Sequence, residues 1–100
     1  ALNAVAWSLV TGPEPEWDPV RAEELVNAAL ELVADPETTY ADPESFRAAA
    51  LDTRAESLRQ QGRMGDALKN QREAVELGRS KEIEELEQME ERLRVLEASQ

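Results

Sequence analysis

Glu84, Glu85, Glu87, Glu90 and Glu91 crowd five carboxylates into eight residues, the densest group of chemically capable side chains in the sequence. General acid–base catalysis needs two carboxyls in a pocket whose surroundings drive their pKa values apart. A run like this one, on a helix with basic residues four positions away, is expected to be a solvated face, each i,i+4 pair adding ~0.3 kcal/mol. Histidine and cysteine are both absent. That removes the commonest general base, thiol catalysis, disulfides and cysteine-ligated metals. No glycine-rich phosphate loop, metal-ligand spacing or nucleophile motif is present. The residues therefore predict no catalytic site, no cofactor and no metal.

The net charge of −11 is uneven. Residues 1–50 hold two basic and ten acidic side chains, residues 51–100 nine basic and twelve acidic. Such a surface repels phosphate backbones and anionic membranes, so neither nucleic acid nor membrane is an expected partner. No apolar run approaches the ~18–20 residues that span a bilayer, and no signal peptide is visible. The compartment stays open between cytoplasm and periplasm.

The elements that must position any site read as helices, because apolar residues recur at helical spacing and never alternate as a strand requires. The stripes are Leu2, Val5, Ala6 and Leu9; Ala22, Leu25, Val26, Ala29, Leu32 and Val33; Ala48, Leu51, Ala55 and Leu58; Met64, Ala67, Leu68, Ala74 and Val75; and Ile83, Leu86, Met89, Leu93 and Leu96. Asp18-Pro19 and Asp42-Pro43 each supply an N-cap acceptor followed by proline at the first helical position. Asp35-Pro36 marks a loop between the second and third helices. Gly78 suits a helix C-terminus and Ser80 the next N-cap. These breaks predict an all-α chain of antiparallel hairpins over residues 1–79, followed by a closing helix over 80–100. An uninterrupted helix through Gly78 is the alternative at that boundary.

The pattern repeats. Leu51, Ala55 and Leu58 follow Leu2, Ala6 and Leu9 at a constant offset of 49, and Ala67 and Ala74 follow Ala22 and Ala29 at 45. Small residues let crossing helices approach to ~8–9 Å, so Ala6 with Ala22, and Ala55 with Ala67, are expected at the hairpin crossings. Gly62 then ends one helix, Met64 plugs the reversal and Asp66 begins the next helix. Gly65 is expected to add turn flexibility.

With Leu51, Ala55, Leu58, Gly62, Ala67 and Ala74 in one unit and Leu2, Ala6, Leu9, Ala22 and Ala29 in the other, residues 1–78 resemble the tetratricopeptide repeat family. Arg54 and Gln71 stand where the family has apolar residues. The resemblance implies an α-solenoid that acts as a non-catalytic protein–protein interaction scaffold. It implies a concave face made by the first helix of each hairpin, here Asn3, Trp7, Val10, Asp52, Glu56 and Arg59. At 100° per residue these six lie roughly 80–140° from the buried stripes. Asp52 and Glu56 on that face favour a basic or neutral protein segment over a peptide carboxylate. Trp7 either packs on a preceding repeat or anchors a partner. With apolar periodicity starting at Leu2, the chain reads as the C-terminal part of a longer array, its last helix a solvating cap. The alternative is a structural domain that self-associates through Ile83, Leu86 and Leu93.

Overall fold

Local capping chemistry starts two of the helices where the sequence places them. Asp18 accepts the Arg21 backbone N–H at 3.1 Å and Asp42 that of Ser45 at 3.3 Å, with Pro19 and Pro43 as the first helical residues. Each carboxylate satisfies a backbone donor that the first turn leaves orphaned. The computed structural model describes residues 2–11, 17–37 and 42–99, with side chains from Val5 onward. Leu2 and Asn3, as side chains, and Tyr40 fall outside the described residues.

The described residues form five helices and no strand: α1 (Leu2–Thr11), α2 (Pro19–Ala34), α3 (Pro43–Gln60), α4 (Met64–Lys81) and α5 (Leu86–Ala98). Each helix packs on the next, and α1 also reaches α3. Ala6, Ala22, Ala29, Ala55, Ala67 and Ala74 are all buried. Ala6 and Ala22 join Val10, Val26 and Ala50 in a cluster shared by α1, α2 and α3. Two further clusters fill the space among α3, α4 and α5. One is built on Leu51, Ala74, Val75 and Met89, the other on Leu58, Ala67, Leu68 and Leu96.

The α3–α4 reversal uses Gly62 at φ 78, a left-handed conformation that glycine adopts without a Cβ penalty. Gly62 N–H donates to Arg59 O at 3.0 Å and Arg63 N–H to Leu58 O at 2.9 Å, the paired bonds of a Schellman turn. Met64 packs on the Leu58 cluster, as expected for a residue closing that turn. The helix begins earlier than expected, at Met64, so Asp66 and Gly65 lie inside its first turn. Gly65 is therefore no turn residue, and nothing in the structure explains it.

The α4–α5 boundary also differs. The helix runs on through Gly78, as in the alternative, and through Ser80 to Lys81, but it is interrupted there and α5 starts only at Leu86. Glu82, at φ 52, makes the left-handed turn, with Ile83 N–H donating to Gly78 O at 3.2 Å. Gly78 serves packing instead of termination. A Cβ there would stand 3.2 Å from Leu86 Cδ1 and 3.3 Å from Ile83 Cδ1. Those two side chains lie on bare backbone, and their burial offsets the ~1 kcal/mol that an interior glycine costs. Two stripe residues are also corrected: Val5 and Leu32 are exposed.

Candidate partner-binding groove

One groove of about 440 Å³ is lined by α1, α3 and α5, and among the described residues α2 and α4 contribute nothing to it. Trp7 and Thr11 come from α1, Glu56 and Arg59 from α3, and Glu91, Arg92, Val95 and Leu96 from α5. Helical spacing explains each group. Positions three or four apart share a face, so Trp7 with Thr11, Glu56 with Arg59, and Glu91, Arg92 and Val95 point the same way.

Behind the groove lies a polar network that ties four helices together. Arg92 Nε donates to Asp52 Oδ1 at 2.8 Å, and a second guanidinium nitrogen donates to Oδ2. Gln71 Nε2 donates to the same Oδ1 and to the Met89 carbonyl, both at 2.9 Å. The Arg92 guanidinium stands 5.0 Å from the centre of the Trp7 ring, within cation–π range. Burial of Asp52, which is 5% exposed, is compensated by this forked, charge-assisted pairing.

Of the six residues expected on an open face, Trp7, Glu56 and Arg59 meet in the groove. Asp52 does not line it, because α5 covers that carboxylate through Arg92. Val10 is 1% exposed and belongs to the core, because α3 packs against α1 there and Gln60 Nε2 donates to its carbonyl at 2.7 Å. Asn3 lies outside the described side chains. Trp7 is half-buried: the core holds one side and Arg92 meets the ring. Gln71, unusual by the repeat pattern, is the fully buried donor of the network.

Sequence reasoning passed over Arg92 as a groove residue. The available signal was its position three residues after Met89 and four before Leu96, on the inward side of α5. Charges in the groove are locally matched. Glu56 pairs with Arg59, Glu91 with Arg94 and Asp52 with Arg92. The Glu56 hydrogen bond holds the Arg59 guanidinium even more firmly in its charged form. The arrangement offers an apolar wall of Trp7, Val95 and Leu96 beside paired charges, suited to holding a side chain. Among the described residues no group of His, Cys, Asp or Glu is arranged to hold a metal, and no helix is long and apolar enough to cross a membrane. In comparisons with protein-family models, curated proteins and solved structures, nothing matches this chain.

Proposed function

We propose that the chain is a non-catalytic protein–protein interaction scaffold of the tetratricopeptide-like type, receiving a partner segment in the α1–α3–α5 groove. The observation that carries this reading is the alternation: every described residue lining the groove comes from an odd-numbered helix. That is how helical hairpins stacked side by side present a continuous concave surface. In this arrangement α5 takes the place of a third first-helix and covers the apolar end of the stack. The occupant is a peptide with an apolar anchor against Trp7 and Val95 and a neutral or basic remainder, since the chain as a whole carries −11.

A peptide-display selection against the intact chain tests this. Trp17→Phe leaves Trp7 as the sole indole, so that fluorescence reports the groove directly. Selected peptides should shift Trp7 emission and lose at least about tenfold in affinity on Val95→Glu. Val95 is 54% exposed, so its replacement leaves the core intact. Peptides indifferent to Val95→Glu and silent to Trp7 would defeat the reading.

Self-association is the competing reading, and it nominates Ile83, Leu86 and Leu93 as the contact. Those side chains pack into the chain's own α3–α4–α5 core. Being partly buried there, they leave less apolar surface for such a seam, which supports the groove reading over this one.

A further inference from the structure

Among the described residues nine of the eleven Lys and Arg side chains form an ion pair, and the two for which none is seen there, Arg54 and Lys69, line the same pocket. The chain carries 22 acidic residues, yet none among the described residues neutralises either. Arg54 Nε is moreover buried without a hydrogen-bond partner. A buried donor left unsatisfied is costly, the more so when it is charged. The pocket, about 340 Å³, lies between α2, α3 and α4, away from the groove. Its lining holds four cations, Arg47, Arg54, Arg63 and Lys69, against two carboxylates. The two carboxylates pair within the lining, Asp66 with Arg63 and Glu73 with Arg47, which leaves Arg54 and Lys69 as its surplus charge. Leu30 and Leu51 supply an apolar floor.

We infer that this pocket binds a small organic acid, its carboxylate gripped by Arg54 and Lys69 and its apolar body resting on Leu30 and Leu51. A guanidinium presents a planar fork that matches a carboxylate, and Arg54 brings one to the lining of this pocket. A local excess of cations on an otherwise acidic molecule draws an anion to this one place. The inference is independent of the partner-binding reading, because the pocket and the groove share no residue.

The test is titration of the isotopically labelled chain at low salt with benzoate and, separately, with inorganic phosphate, followed by NMR. Benzoate should produce saturable shifts at Arg54 Nε–H and at the Leu30 and Leu51 amides. Its affinity should fall about tenfold or more in Arg54→Gln, the loss of one charge-assisted pairing. It should fall several-fold in Lys69→Gln, whose exposed position leaves the fold unperturbed should Arg54→Gln not fold. Absence of saturable shifts, or undiminished affinity in Lys69→Gln, overturns the site. Phosphate binding as tightly as benzoate overturns the organic-acid assignment, because the apolar floor would then contribute nothing.

Discussion

Asp52 and Arg92 stand 40 positions apart, and their pairing decides whether α5 stays down. Removing Arg92 leaves a buried carboxylate with only Gln71 as donor. Arg92→Ala is therefore expected to cost about 2–4 kcal/mol, read from urea unfolding. Asp52→Leu combined with Arg92→Met should recover most of that loss, because an apolar pair leaves no charge stranded. Equal losses in the single and double variants would show that the network adds nothing specific. Asp42 gives a second residue-scale prediction. The hydroxyl and backbone N–H of Ser45, with Lys81 contributing less, hold its carboxyl below the ordinary aspartate range. A carboxyl whose pKa is lower folded than unfolded stabilises the fold above the unfolded value of ~3.9, and the effect is lost as pH falls through the lower folded value. Asp42→Asn, which caps comparably, should thus flatten the acid limb of the melting temperature while leaving it nearly unchanged at neutral pH. An acid limb as steep as in the parent would assign that pH dependence to other groups.

At the scale of helices, the buried alanines make a direct prediction. Ala55→Leu or Ala67→Leu forces extra methylenes into a closed crossing and should cost ~1–3 kcal/mol in thermal or urea melts. Glu82 holds a left-handed conformation at φ 52 that glycine tolerates better, so Glu82→Gly is expected to stabilise by roughly 0.5–1 kcal/mol. Unchanged melting would mean that Glu82 bears no strain. The helix starts at Pro19 and Pro43 and the stop at Gly62 were legible because their signals are local: an acceptor, a fixed φ, a missing Cβ. Gly78 misled for the same reason. Its role depends on Ile83 and Leu86 folding back over it, and that reversal is set at Glu82 by tertiary packing and not by the residues beside Gly78. Val10 and Asp52 lie off their own helices' apolar stripes, so single-helix periodicity read both as outward. Their burial comes from neighbours, α3 upon α1 in one case and α5 upon α3 in the other. Trp7, Glu56 and Arg59, expected on one face from the repeat resemblance, do line the groove, each on a face that its helix leaves open. Arg92 and Val95 required knowing where α5 lands.

The whole molecule measures 37 × 27 × 21 Å with a radius of gyration of 12.9 Å. About 13 Å is expected of a compact chain of this length. Small-angle scattering across a concentration series should therefore return a monomer near that radius. A rise with concentration would instead point to association through the scattered exposed residues Val5, Val20, Leu32 and Val95. Core and groove are not separate at this scale, because the Arg92 guanidinium belongs to both. Under the proposed reading, a molecule that leaned on that one side chain from outside and tightened the last rod's latch would, by thermodynamic reciprocity, be held less well where the latch is loosened. Heat resistance and occupancy would then be two readings of a single contact, and a shift in the melting curve on adding a candidate peptide would be the first sign of capture.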